Sequence, residues 1–313
     1  MYTGAANATV QVDLERIRHN LRGIRRQVGV DVLAVLKANA YGLGAATIAA
    51  AIADLVDGFC FFSLSEAADA DAWRRWGKPV ILLGPPQSLD PRDYVAVARP
   101  AVFTVEQAQL LRAADPLLCV DTGMQRFACP RGEVHRVVDA GGIREAFTHG
   151  TRVEHARMLR QLFAGTGIRL HAAASALLGE PEAYLDAVRP GLAMYHGAIT
   201  VRAPLVEVRR TTGPLGYGGV QTQRHGVILC GYASGLRSGP CIVNGRPRRI
   251  LEVGMQSAYV EVCESDRAGD QVTLLGETPT AQEVAAAWGS TPQEVLLRLS
   301  AAGPLQYLPP APR

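Results

Sequence analysis

Lys37 stands at the end of an apolar run, Val32-Leu33-Ala34-Val35-Leu36, and opens the segment Lys37-Ala38-Asn39-Ala40-Tyr41-Gly42-Leu43-Gly44. Of 32 Lys and Arg residues in the chain, only Lys37 and Lys78 are lysine. A guanidinium stays protonated and does not condense with a carbonyl, whereas a lysine amine can once desolvation lowers its pKa. A lysine kept at an apolar strand end therefore points to amine–carbonyl chemistry. The plainer reading is a side chain that snorkels from a strand terminus to water.

Tyr41, Asp121, Arg126, His149, Ser175 and Arg189 also fall at or just after the ends of apolar stretches. Such a set suits an anionic, carbonyl-bearing ligand better than a metal. Taken singly, each has a structural reading as well: Arg189 before Pro190 as a loop ion pair, His149 as a satisfied core histidine. Several strand ends agreeing is harder to dismiss.

The elements that must position these residues form a regular series. Strand candidates are Val32–Ala38, Gly58–Leu64, Val80–Gly84, Ala101–Thr104, Leu117–Thr122, Ala146–His149, Ile168–Ala174 and Val188–Gly191. Ala- and Arg-rich amphipathic stretches such as Gly44–Leu55 and Glu66–Trp76 separate them. This alternation predicts an α/β fold, a (β/α)8 TIM-like barrel over residues 1–205, whose active face is the C-terminal rim of its strands. A doubly wound open sheet is the alternative, but Gly42-x-Gly44 lacks the third glycine of a dinucleotide turn. From about residue 206 to 313, Gly, Pro and β-branched residues dominate, and Asn244-Gly245 is a hairpin signal. That texture predicts a mostly β C-terminal domain. Two short helices are expected within it, Thr280–Trp288 and Thr291–Leu299, each opening on a capping-box pattern. Pro309-Pro310 is expected to end the ordered structure.

The totals narrow the classes. At 313 residues and 48% hydrophobic, the chain can bury a large core, and its net charge is only +3. Arg18, Arg22, Arg25 and Arg26 recur at helical spacing without interleaved aromatics, so they read as a solvated helix face rather than a nucleic-acid patch. No apolar run is long enough to span a membrane and no signal-like start is seen, so the expected state is soluble and cytoplasmic. The six cysteines include no Cys-x-x-Cys pair, and the seven histidines lack metal-ligand spacing. Neither a zinc site nor a disulfide framework is expected.

Beyond these readings, the chain resembles the alanine racemase family along nearly its whole length. Ala34-Val35-Leu36-Lys37-Ala38-Asn39-Ala40-Tyr41-Gly42 is similar to the family's pyridoxal 5'-phosphate (PLP) lysine motif. Val120–Arg126 resembles its mid-barrel signature and Val188–Tyr195 its last-strand signature. Gly216–Gly219, Gly231–Gly235 and Val253-Gly254-Met255 resemble its β-domain motifs. The resemblance implies a PLP-dependent isomerase interconverting L- and D-amino acids, alanine or a somewhat larger one, by two bases. Lys37 would carry the cofactor covalently and act as one base. Tyr232 would be the other, delivered across a head-to-tail homodimer and hydrogen-bonded by His149. Arg189 would face the pyridine nitrogen. Tyr41, Ser175 and the amides of Gly191 and Leu192 would hold the phosphate, and Arg126 with the amide of Met255 would bind near the phenolic oxygen and the substrate carboxylate.

The chain departs from the family at several places. Cys119 stands where the family has a carbamylated lysine, Ala174 where it has Asn, Ser234 and Gln256 where it has Asp, Leu43 where it has His, and Gln293 where it has the tail tyrosine. These changes keep two other readings open. One is a racemase-like PLP enzyme repurposed for decarboxylation, transamination or side-chain chemistry. The other is a non-catalytic PLP-binding protein.

Overall fold

A computed structural model of the chain describes residues 7–309, so Pro310 of the Pro309-Pro310 pair lies outside the described residues. The chain forms two compact units. One holds Ile17–Ala40 and Gly44–Met194. Among the described residues, the other holds 7–16, the short segment Tyr41–Leu43, and 195–309.

The first unit is a barrel. Strand β1 (Thr9–Asp13) belongs to the other unit; β2 (Asp31–Val35), β3 (Gly58–Phe61), β4 (Val80–Leu82), β5 (Ala101–Val102), β6 (Leu117–Cys119), β7 (Glu145–Gly150), β8 (Arg169–Ala174) and β9 (Ala187–Arg189) form one eight-stranded parallel sheet. Its order is β4-β3-β2-β9-β8-β7-β6-β5, which leaves β4 and β5 at the ends. A parallel bridge Ile81–Arg99 joins those ends: Leu82 N donates to Arg99 O at 3.0 Å and Arg99 N to Val80 O at 2.8 Å. Because alternate residues of each strand face inward, Leu33, Val35, Cys60, Ile81, Leu117, Cys119 and Phe147 meet in one buried cluster. Complete burial of each large side chain there stabilises by about 1.5–3 kcal/mol.

Each of the eight predicted barrel strands is present, but six of them, the first included, end two or three residues early. The reading of Val32–Ala38 as extended fails after Val35, because Ala38, Asn39, Ala40 and Tyr41 are all left-handed, with φ of 53°, 53°, 55° and 60°. This conformation costs roughly 1–2 kcal/mol per L-residue, so neighbouring contacts must hold it. Asn39 Oδ1 accepts from Ala45 N at 2.8 Å. Glu66 accepts from Ala38 N at 3.1 Å and from Phe62 N at 2.9 Å, tying the turn to the end of β3. The helix Leu14–Val28 corrects a second expectation. Arg25 and Arg26 are exposed, but Arg18 is buried and pairs through both guanidinium arms with Asp54 at 2.6 and 2.7 Å.

The second unit is mostly β. Its sheet contains β1, β10 (Ile199–Arg210), β11 (Arg224–Ile228), β12 (Gly239–Val243), β13 (Arg246–Val253), β14 (Ala258–Glu261), β15 (Gln271–Leu275) and β16 (Leu305–Leu308), in the order β11-β14-β13-β12-β15-β10-β1-β16. The long β10 pairs antiparallel with β1, β11 and β15, and so draws the chain's first strand into this sheet. Asn244-Gly245 turns β12 into β13, and both residues have positive φ, as a tight hairpin requires. Thr280 and Glu283 complete a reciprocal capping box on the helix Ala281–Trp288. On the helix Pro292–Leu299 only half of the expected box forms. Thr291 accepts from Glu294 N, while the Glu294 carboxylate turns to Arg298 at 2.7 Å and Arg237 at 3.2 Å.

Candidate active site

The C-terminal ends of the barrel strands surround a pocket of about 550 Å³, open to solvent, whose lining includes Lys37, Cys119, Asp121, Arg126, His149 and Arg189. Strand polarity explains the convergence: Lys37 follows β2, Arg126 lies in the loop after β6, His149 is near the end of β7, and Arg189 ends β9.

Lys37 is half-buried. Its pKa is lowered, first by burial and then by the charges of Arg126 and Arg189, with Glu66 opposing. The amine is thus pressed toward its neutral, nucleophilic form. Burial, followed by the charges of Arg189, Lys37 and Arg126, also holds His149 down to about 4. The His149 ring is reached by water at the pocket mouth even so. Asp121 does not neutralise the cluster by pairing with Arg126. Its Oδ1 accepts from Gly123 N at 2.8 Å and Gln125 N at 3.1 Å, and so shapes the loop that carries Arg126.

Arg189 is buried. Nη2 donates to Thr148 O at 2.5 Å and Nη1 to His171 Nδ1 at 2.5 Å, and the guanidinium lies 4.9 Å from the centre of the Phe147 ring. An arginine has only donors, so His171 Nδ1 must be the acceptor and the ring's proton sits on Nε2. Nε2 lies 3.2 Å from Glu145 Oε1, too poorly aligned for a hydrogen bond, so that contact is electrostatic. Glu145 in turn pairs with Arg99 at 2.5 Å and Arg169 at 2.6 Å. The result is a buried polar chain running Arg99/Arg169–Glu145–His171–Arg189 to the site.

Sequence reasoning passed over Glu145 and His171. The available signal was a charged residue opening the apolar run Ala146–Phe147 and a histidine inside Leu170–Ala174, since strands of a parallel barrel are otherwise continuously apolar.

Burial, then the Arg189 charge, lowers the His171 pKa to about 4 against the opposing pull of Glu145. For Glu145, burial raises the pKa, but the contact with His171 and the arginine charges outweigh it and hold the carboxyl at about 2. Above pH ~4 His171 is neutral, so the two arginines maintain that ionisation. Both folded values lie below the unfolded ones, so the unfolded chain binds protons first as the pH falls. Stability is therefore expected to drop between pH ~6.5 and ~4, on the order of 3 kcal/mol, as the buried His171 and, to a smaller extent, the exposed His149 resist protonation. It drops further between ~4.5 and ~2 as Glu145 is forced to protonate. Urea denaturation at a series of pH values checks this; a flat profile from pH 7.5 to 4.5 would remove His171 from the account.

The remaining predicted residues fall into separate groups. Ser175 Oγ accepts from Gly191 N at 2.9 Å and Ala193 N at 3.1 Å, so a hydroxyl and two amides gather at the loop after β9. Leu192, whose amide was expected to hold a phosphate together with that of Gly191, stands between these two donors. Tyr41 belongs to the second unit, buried with its ring 5.3 Å from that of Tyr195, edge to face, and its hydroxyl is pushed up to about 12 by burial. In the same unit Tyr232 and Met255 lie side by side and exposed: Tyr232 N donates to Gly254 O at 2.9 Å and Ala233 N to Met255 O at 3.0 Å. Gly231 allows this approach, since a Cβ there would come within 2.3 Å of Met255 O. All six cysteines are free. No helix among the described residues is long and apolar enough to cross a membrane.

A parallel barrel with a desolvated lysine among arginines at its mouth, joined to a mostly β unit, defines a barrel enzyme of amine chemistry. The family model "Alanine racemase, N-terminal domain" matches residues 12–198, and "Alanine racemase, C-terminal domain" matches residues 198–307. The chain belongs to the alanine racemase family. It is 31% identical to an alanine racemase of Azoarcus sp. (strain BH72), over 92% of this chain and 96% of that protein. Its fold is similar to that of the biosynthetic alanine racemase of Pseudomonas aeruginosa, with a TM-score of 0.87 and 26% identity over 97% of this chain and all of that one. An alanine racemase of Bartonella henselae solved with covalently bound pyridoxal phosphate has the same fold, at a TM-score of 0.87 and 22% identity, covering 97% and 100% of the two chains.

Proposed function

We propose that the protein is a PLP-dependent amino-acid racemase using Lys37 and Tyr232 as its two bases. The observation that carries the reading is Lys37 itself: a lysine at the barrel mouth whose pKa is lowered by burial and by Arg126 and Arg189.

The side chains present fit the cofactor. Lys37 supplies the amine that would hold it covalently. Ser175 would supply a hydroxyl donor for a phosphate, with the amide of Leu192 beside it, and the family resemblance adds the Tyr41 hydroxyl. Arg126 supplies a cation for a phenolate or a substrate carboxylate. Arg189 offers a buried cation for the pyridine nitrogen, where a carboxylate would instead favour ring protonation. When bound, PLP supplies the conjugated electron withdrawal that makes an α-proton removable.

The chain's own groups do the rest. Lys37 takes or returns the Cα proton on one face, and Tyr232 of a second copy does so on the other, so the substrate need not turn over. His149, held neutral, accepts a hydrogen bond and orients that tyrosine. The exposure of Tyr232 and Met255, 56% and 60%, supports a role at a face that meets another subunit.

Incubation of the holoenzyme with L-amino acids in heavy water is expected to give Cα deuteration with inversion. Loss of the carboxylate or amino group would instead mean repurposed PLP chemistry, and bound cofactor without exchange a carrier. Tyr232→Phe is expected to slow net racemisation about 10²–10⁴-fold in both directions, the usual range for a lost general base. Deuterium exchange should survive for only the enantiomer whose Cα–H faces Lys37. Equal exchange from both enantiomers would disqualify Tyr232 as the second base.

A further inference from the structure

The pocket that holds Lys37 has an apolar flank that the two-base chemistry does not use. Phe62, Leu83, Met124, Phe127 and Ala128 line it. Phe62, Met124 and Phe127 remain 37%, 41% and 42% exposed, although large apolar side chains are ordinarily covered. The Phe62 and Phe127 rings meet edge to face at 6.5 Å and 67°, so the two form one surface.

The backbone beneath that surface is strained. Phe127 has φ 48° and Gln125 φ 54°, in the left-handed region that a bulky L-residue rarely occupies. The two bonds accepted by Asp121 hold the start of this loop. Such strain persists where surroundings enforce it, and it gathers at ligand clamps.

Arg126 links the flank to substrate binding. Among the described residues it makes neither a hydrogen bond nor an ion pair; its guanidinium lies 5.8 Å from the centre of the Phe127 ring. Its donors are therefore available to an anion, and the ring that supports it belongs to the apolar surface.

We propose that Phe62 and Phe127 form a specificity wall that selects amino acids with apolar side chains longer than the methyl of alanine. This rests on the racemase reading above. A substrate whose Cα lies beside Lys37 and whose carboxylate is held at Arg126 would have its side chain in the same pocket, which Phe62 and Phe127 also line. A methyl leaves the Phe62–Phe127 surface wet, whereas a longer apolar chain covers it and a polar chain of the same length must lose its own water to do so. Covering one methylene is worth about 0.8 kcal/mol, or roughly fourfold in affinity.

The test uses the full-length protein freed of cofactor by hydroxylamine and titrated calorimetrically with stable N-phosphopyridoxyl amino acids, so that no turnover is needed. From the alanine to the 2-aminobutyrate and norvaline derivatives, Kd is expected to fall about fourfold per methylene. The glutamine derivative should gain nothing over alanine. Phe62→Ala, at a partly exposed position, should flatten the series, and Phe127→Leu, which removes the ring beside Arg126, should weaken all members and reduce the native slope. Tight binding of all derivatives with no slope in the native protein, or a slope unchanged in Phe62→Ala, overturns the wall and leaves the cofactor site standing. Failure of every derivative to bind overturns the cofactor reading, and the wall with it.

Discussion

Lys37→Arg is expected to abolish racemisation, roughly 10⁴-fold or more, while leaving the fold intact. The substitution keeps a long, positively charged side chain at the barrel mouth but removes the only amine in the pocket. A guanidinium does not release its proton near neutrality, so it neither bonds covalently to an aldehyde nor takes a proton from Cα. The environment that makes lysine useful, burial plus the charges of Arg126 and Arg189, offers arginine no comparable neutral form. Two further measurements separate chemistry from stability: the absorbance of bound PLP at the visible edge should disappear, and the thermal midpoint should stay close to that of the native chain. Substantial exchange of the α-proton by Lys37→Arg would remove the basis for the proposed function.

Much of the barrel was legible because strand and helix periods differ. Short apolar runs such as Phe59–Phe61 and Val80–Leu82, set between amphipathic stretches, point to a parallel sheet from the sequence alone. The rim residues follow from strand polarity, so Lys37, Arg126, His149 and Arg189 could be gathered to one pocket from the sequence. The left-handed turn at Ala38–Tyr41 could not. Three of its four residues are Ala or Tyr, which have no preference for positive φ, and the contacts of Glu66 and Asn39 that enforce it reach across 28 and 6 residues. Arg18 misled for a related reason: helical spacing with other arginines marks an exposed face, but its partner Asp54 lies 36 residues away. The Glu145–His171 chain was hidden because its partners come from different strands, and only barrel closure brings Arg99 and Arg169 to one carboxylate.

That buried chain gives the second large effect. Arg189→Met is expected to lower stability at pH 7.5 by about 2–6 kcal/mol, since His171 Nδ1 and Thr148 O both lose their donor and unsatisfied buried acceptors cost about 1–3 kcal/mol each. Methionine fills much of the vacated space beside Phe147, so the loss is chiefly polar. Arg189→Lys tests the geometry: one ammonium keeps the charge but does not reproduce the planar fork that reaches both acceptors, so partial recovery is expected. The pH dependence provides the sharper distinction. In the native chain the Arg189 charge is the largest cause, after burial, of the low pKa of His171. Without it the folded pKa of His171 rises toward the unfolded value, and protonation places an imidazolium beside the ionised Glu145. The difference in proton uptake between unfolded and folded states then shrinks across pH 6.5 to 4. Arg189→Met should consequently be the less stable protein at pH 7.5, yet lose less than the native chain when both are taken to pH 5. Parallel stability curves, offset by a constant amount, would mean that Arg189 supports the barrel without setting the charge state of His171, and the polar chain would then be structural alone.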